Sequence, residues 1–518
     1  MLDLGTSFVA SVERDPDALA VVDGNERLTY RAWYAEISAL VAAFGDLGLR
    51  PGDHLVTVLQ NRCEAATIHW ACQLAGVIVT PVNWRANEDE IDFYLADAEA
   101  RAIVYQDISA PAVAAARKAK GLPRIAVAVP GSSDLDFARL VETEAADATP
   151  RVGADACSLM LYTSGTTSQP KGVPRRHRAE RAAAVAHVAQ NLYARGERTL
   201  GVMPLYHTMG VRSLLAMSLI GGTFVCLPQF DVARALHLIA TERITNLYLL
   251  PTLYHDLVHH PEFSRTDVRS VRKLGFAGAS MTEALLKKLD AAFRPELFVN
   301  HYGSTEIYTF TIEQNAAAQP GSAGRAGINQ SVRLARLGAR SADERAAFGE
   351  EGEIAALIAG DESFDGYWRR PEADDAAIRG GWYFTGDTGL LDADGDLFVT
   401  GRVDDMIITG GENVSPVEIE SCLSLHPAVA EVAVAGLPDE RWGKIVCAFV
   451  KRRQPVAAGE LDAFCRSAGL ANYKRPRRYE FVAEIPKSPV GKLLRRKLVA
   501  GEYRPERGAG KENIASNH

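Results

Sequence analysis

Over about the first 400 residues the chain repeats one pattern: a short run of apolar, β-type residues followed by an alanine-rich stretch with helical character. The runs read HLVTVLQ, GVIVTPVN, ARAIVYQD, TFVCLP, TNLYLLP and KLGFAGAS. Strands separated by helices demand crossover connections, so they pair in parallel, and the pattern predicts a mostly parallel α/β sheet. Sheets of this kind bind ligands beyond the carboxyl ends of their strands, where loops converge. From Glu351 the texture changes. EGEIAALI, GWYFTGDTGLL and GDLFVTGR are short runs separated by glycine or Asp-Gly turns, which predicts an antiparallel β subdomain. Beyond Arg402 a small α+β unit follows, with PVEIESCLSLH and LDAFCRSAGL as helices and VAEVAVAGLP and KIVCAFVKRR as strands. The expected division is a large multi-subdomain α/β domain over 1–403, a small α+β domain over 404–505 and a polar, disordered tail over 506–518.

The loops after these runs carry the polar residues. Tyr162 to Gly172 reads YTSGTTSQPKG. Hydroxyls, glycine-freed backbone N–H groups and one ammonium are groups that wrap a polyphosphate. The segment resembles a Walker A loop but departs from it: Pro170 stands at the second glycine, and Gly172 stands where Ser or Thr would hold magnesium. A different scheme for nucleotide phosphates is therefore expected. Taken alone, the segment also reads as a polar surface turn.

Four further motifs follow in order: GSTE at Gly303–Glu306, YFTGDTG at Tyr383–Gly389, GRVDDMIITGGENVSP at Gly401–Pro416 and PKSPVGKLLRR at Pro486–Arg496. Together with the first they resemble the adenylate-forming superfamily, which includes acyl- and aryl-CoA ligases, luciferases and peptide-synthetase adenylation domains. The resemblance spans almost the whole chain. One departure is Ser168, where the family usually has glycine.

This resemblance implies ATP, Mg2+ and coenzyme A as the small molecules used with a carboxylic acid. Thr163, Ser164, Gly165, Thr166, Thr167 and Lys171 would wrap phosphates. Lys492 would bridge the carboxylate and α-phosphate, as a flexible point charge suits developing negative charge. Glu306 would hold the magnesium, since a hard cation takes one carboxylate and keeps waters and phosphates. Thr305 would bond the α-phosphate. Ser304 and Thr305 alone could equally cap a helix. Asp387 and Arg402 would hold the ribose, Tyr302 would stack on adenine, and Asn300 with Gly278, Ala279 and Ser280 would line the base. Asp404 matches the family hinge, about which the small domain rotates between an adenylating and a thioester-forming pose. That rotation would remove Lys492 and bring Gly410 and Gly411 to the pantetheine arm. Trp442, Tyr473, Arg475 and Arg477 would contact the coenzyme A nucleotide.

The carboxylate pocket is expected among His207, Thr208, Met209, Tyr248, Ala279, His301, Gly303 and Tyr308. MPLYH, FAGAS and RWG look most like the small aryl-CoA ligases of the benzoate and chlorobenzoate type, with His207 as the aromatic gate. His301 adds a polar group near the ring edge, which points to a hydroxylated or heteroaryl acid such as furoate. A medium-chain or alicyclic acid and a stand-alone enzyme loading a carrier protein are the alternatives. An amino-acid activator lacks an acidic residue in LYHTMG, and a non-catalytic nucleotide sensor would not need Lys492 and Glu306 intact.

Composition supplies the exclusions. A net charge of -8 gives no footprint for nucleic acid. No apolar run is long enough to span a membrane, and the N-terminus reads as neither signal nor transit peptide. The seven cysteines form no C-x-x-C pair and sit mostly in apolar runs, which suits reduced core thiols in the cytoplasm and gives no zinc spacing. A homodimer is compatible with the family.

Overall fold

The computed structural model describes residues 1–163, 170–403, 405–409, 412–439, 441–487, 493–506 and 511–513. The chain is a mixed α/β protein with a large N-terminal and a small C-terminal domain. The strands Leu19–Asp23, Thr223–Cys226, Arg198–Gly201, Asn246–Leu249, Lys273–Phe276 and Leu297–Tyr302 pair in parallel in that spatial order; TFVCLP, TNLYLLP and KLGFAGAS supply three of them, while Leu19–Asp23 and Arg198–Gly201 were not read as strands in the sequence. These strands are buried from both faces, as parallel strands covered by helices must be. At Thr311–Glu313 the same sheet turns antiparallel. It continues through Ser322–Ala326, Leu397–Arg402, Trp382–Leu391, Gly352–Leu357 and Val332–Arg336. The expected antiparallel region is thus an extension of the main sheet rather than a detached layer. A second, mainly parallel sheet holds Ala102–Gln106, His54–Val58, Ile78–Pro81 and Cys157–Thr163, and ends on the antiparallel strand Lys171–Arg176.

The two sheets pack around helices such as Cys63–Ala75, whose Trp70 is fully buried against Phe8. Five of the seven cysteines are buried. Among the described residues no helix is long and apolar enough to cross a membrane.

The small domain is a third sheet, built on the hairpin Val429–Asp439 and Gly443–Arg452 and covered by helices Pro416–Ser424 and Ala458–Ser467. Arg495 braces it. Its Nη2 donates to both carboxylate oxygens of Glu420 at 2.8 and 2.7 Å, Nη1 to Asp405 Oδ2 at 3.2 Å, and Nε to the Val434 carbonyl at 3.0 Å. Three residues of the tail expected to be disordered are ordered. Lys511–Asn513 forms a strand antiparallel to Arg478–Phe481, and Glu506 accepts from Arg452 at 2.8 Å. A polar composition hid this strand, because an edge strand needs backbone groups rather than apolar side chains to pair.

Candidate active site

The phosphate segment closes an antiparallel hairpin. Thr163 and Lys171 face each other at its end, and Ser164, Gly165, Thr166 and Thr167 lie outside the described residues. A strand rather than a helix follows the loop, so the helix N-terminus on which a P-loop relies has no counterpart here. Gly172 is explained by packing: a Cβ there would sit 2.9 Å from Met160 Sδ and 3.1 Å from Trp368 Cβ.

Lys171 Nζ lies 4.7 Å from the centre of the Tyr367 ring, and the Tyr367 hydroxyl donates to Glu306 Oε1 at 2.7 Å. Glu306 is 6 % exposed, and its carbonyl accepts from the buried Arg175 at 2.8 Å and from Phe364 N at 3.0 Å. Burial and the Glu306 carboxylate both hold the Tyr367 phenol protonated. A carboxylate held from one side by a phenol, near an ammonium, fits a hard cation that takes its remaining ligands from water and phosphate. Among the described residues no cluster of three or more acidic, His or Cys side chains offers a protein-only cage.

Thr305 and Ser304 do not cap a helix. Ser304 N donates to the Ile307 carbonyl at 2.9 Å and Ile307 N to Ser304 Oγ at 3.3 Å, so the segment is a tight loop between two strands. Gly303 is obligatory in it, because a Cβ would lie 2.0 Å from the Tyr308 carbonyl.

The three residues read as the nucleoside corner meet. Antiparallel pairing sets Asp387 opposite Arg402. The Tyr302 hydroxyl donates to Asp387 Oδ2 at 2.6 Å, and Arg402 Nη1 is 3.3 Å from Asp387 Oδ1. Asn300 pairs with Phe276 across the sheet and donates to the Ser322 carbonyl at 2.7 Å. Gly278, Ala279 and Ser280 follow that neighbouring strand as an exposed turn.

The acyl-side residues divide. His207 is the N-cap of helix Thr208–Leu219, its Nδ1 accepting from Met209 N at 3.4 Å. Tyr248 is buried with Met203, Met209, Leu250 and Ala277. Its ring centre lies 4.7 Å from that of His187 and 5.2 Å from that of His301. His301 is not a free polar edge: Nε2 meets the Asn191 amide at 3.1 Å and Nδ1 lies 3.4 Å from Arg212 Nη1. Burial first, and Arg212 second, hold its imidazole neutral. Tyr308 points away into the core, donating to Glu180 Oε2 at 3.1 Å with Arg175 4.0 Å from its ring centre. Tyr367, Arg212, His187 and Asn191 went unnoticed in the sequence, since each sits in a stretch without a motif.

On the small domain Arg477 stacks 4.2 Å from the centre of the Trp442 ring, so these two expected coenzyme A contacts come together. Tyr473 is 42 % exposed. Arg475 is a correction: its charge is committed to the buried Asp462 at 2.6 Å and to Asn472. A guanidinium so held has little left for a phosphate. Asp404, Gly410, Gly411 and Lys492 lie outside the described residues.

With this geometry in place, the comparisons with known proteins agree. Residues 8–368 match the model of the AMP-binding enzyme family, and residues 418–492 match that of the AMP-binding enzyme C-terminal domain. The chain belongs to the AMP-binding enzyme family, the adenylate-forming enzymes, and is an AMP-forming acid–thiol ligase. It is 34% identical to the long-chain-fatty-acid–CoA ligase FadD13 of Mycobacterium tuberculosis, over 90% of this chain and 92% of that one. It is 33% identical to a 4-chlorobenzoate–CoA ligase of an Arthrobacter species, over 94% and 93%. Among solved structures it resembles ATP-bound MatB from Rhodopseudomonas palustris, with a TM-score of 0.88, 26% identity, and coverage of 97% and 99%.

Proposed function

We propose that this ligase joins a small aryl or heteroaryl acid carrying a polar group to coenzyme A, in two steps. In the first, the carboxylate oxygen attacks the α-phosphorus of ATP and pyrophosphate leaves. In the second, the coenzyme A thiol attacks the acyl carbonyl and AMP leaves. Tyr302, Asp387 and Arg402 hold the nucleoside, and Thr163, Lys171 and Thr305 hold the phosphates. Glu306, steadied by Tyr367, would hold magnesium, which supplies charge neutralisation at the phosphates when bound. Lys492 stabilises the charge that develops during adenylation. Rotation at Asp404 exchanges Lys492 for Gly410 and Gly411, with Trp442 and Arg477 stacked to receive the nucleotide end of the thiol. Mostly buried cysteines in apolar surroundings suit a reducing compartment, and we assign the enzyme to the cytoplasm.

One observation carries the choice of acid: behind the GSTE loop, the rings of Tyr248, His187 and His301 pack together, bringing aromatic and polar atoms into one wall. An alkyl chain has no use for such a wall, whereas a substituted ring has. Similarity to a fatty-acid ligase favours a second reading, an alkanoic acid. The test is pyrophosphate and AMP release over a panel of benzoates, hydroxybenzoates, furoate and alkanoates with ATP, magnesium and coenzyme A. Hydroxybenzoates or furoate should lead. Leading alkanoates would replace the aryl reading, and ADP in place of AMP would overturn the two-step scheme.

A further inference from the structure

Arg212 lies on helix Thr208–Leu219, five residues past His207, and is 2 % exposed. Its Nη2 donates to the Tyr308 carbonyl at 2.5 Å, and Nη1 lies 3.4 Å from His301 Nδ1. Its Nε–H has no partner among the described residues. Among the described residues no carboxylate lies within 4.0 Å of the guanidinium, although Glu362 feels its charge through space. The other buried arginine of this region, Arg175, also leaves a nitrogen, Nη2, without a partner among the described residues, but its charge is paired with Glu180 at 2.7 Å. Buried arginines are ordinarily paired and their donors satisfied, so an unpaired guanidinium with an unused N–H marks a place kept for use rather than for stability.

Its surroundings say what the use is. His301, which it touches, packs on Tyr248 and His187, the ring wall of the acyl side. Both imidazoles are held neutral by burial, so the ionisable groups nearby are the paired Arg175 and Glu180, and Arg212 and Glu362. Burial pushes the Glu362 carboxyl up, and Arg212 first and Arg175 second pull it back down, so Arg212 and Glu362 answer each other at a distance. A second carboxylate on the substrate would leave one buried negative charge in excess, whereas a neutral acceptor would satisfy the N–H without adding charge. We propose that Arg212 is a specificity-determining residue, its Nε–H received by a neutral acceptor (a ring hydroxyl or ring oxygen) at the end of the acid remote from its carboxylate, with His301 as a positioning residue. The inference rests on the aryl reading above and names the atom that selects within it.

The test compares kcat/KM for 3- and 4-hydroxybenzoate with that for the methylbenzoates of the same shape, by pyrophosphate release. Wild type should favour at least one hydroxy acid by about 10-fold or more, because a donor left unpaired penalises the methyl isostere. Arg212→Met should bring that ratio to about one, with KM for ATP unchanged. Absence of a preference in wild type, or an unchanged ratio in a folded Arg212→Met, would overturn the assignment. If Arg212→Met loses its thermal transition, Arg212→Lys takes its place: the cation stays but the Nε–H is gone, so the ratio should still fall. A retained ratio there would refute the role. Should wild type turn over only alkanoates, the aryl reading fails, and the same comparison is made with an ω-hydroxy acid against its ω-methyl counterpart.

Discussion

The nucleoside corner and the acyl wall lie on either side of the strand Leu297–Tyr302, yet they are built by opposite rules. In the corner each polar group has a partner of complementary character: Tyr302 and Arg402 on Asp387, and Tyr367 on Glu306. At the wall, polar groups are buried next to one another with donors left over, Arg212 Nε and His187 Nε2 among them. A pre-paired site suits a ligand that never changes, because its groups are already oriented when the nucleotide arrives. A site with an unmet donor suits selection, because only the right partner satisfies it. The corner should therefore serve every acid alike, and the wall should sort them.

The comparison can be broken from its strong side first. Lys492→Ala should lower adenylate formation by about 100-fold or more for every acid, the scale of a lost electrostatic stabiliser. Supplied acyl-adenylate and coenzyme A should still give thioester, and equal loss in both half-reactions would end the division of labour. Next, Glu306→Gln keeps the Tyr367 bond but removes the charge. Adenylation should fall by roughly 10- to 100-fold with a raised magnesium requirement, uniformly across the panel. An unchanged magnesium titration would leave Glu306 a structural partner of Tyr367.

The smaller effects sharpen the other half. His301→Ile should cost about 1–3 kcal/mol for hydroxylated or heteroaryl acids and less for benzoate, because it removes a polar neighbour of Arg212 at similar bulk. The readout is the ratio of kcat/KM between matched acids, and a constant ratio would make the residue structural. Tyr367→Phe should be mildest, costing about 1 kcal/mol in adenylation with the acid ratio untouched. An acid-dependent loss in this variant would mean that the corner and the wall are one site.

The same contrast governs what could be read from sequence. Gly303–Glu306, Asp387 and Arg402 were legible because each sits in a short contiguous motif with glycine beside it, the first in a loop and the other two on the paired strands Trp382–Leu391 and Leu397–Arg402. The parallel strands that could be read were legible for a similar reason: burial on both faces writes an unbroken apolar run. Arg212 and His187 lie in TMGVRSLLAMSL and HRAERAAAVAHVAQ, helices whose texture is that of any buried helix, and only packing brings them to His301. Arg475 illustrates the converse. NYKRPRR invites a phosphate contact, yet Asp462, thirteen positions away on a helix, has claimed that guanidinium. Ser304 and Thr305 looked like a cap, yet the Ser304 hydroxyl accepts from Ile307 N within a tight loop that Ser304 N closes on the Ile307 carbonyl, and no helix follows.

Arg495 follows Lys492 by three positions, and Asp405 follows Asp404 by one. On the proposed rotation at Asp404, the bonds from Arg495 to Asp405 and Glu420 would cross-brace the two ends of the moving arm. An arm braced in this way has little slack. An angular error at such a pivot would reach its tip undamped and grow with the distance between them, so the aim proposed for the lysine would be set at the hinge as much as at the lysine's own loop.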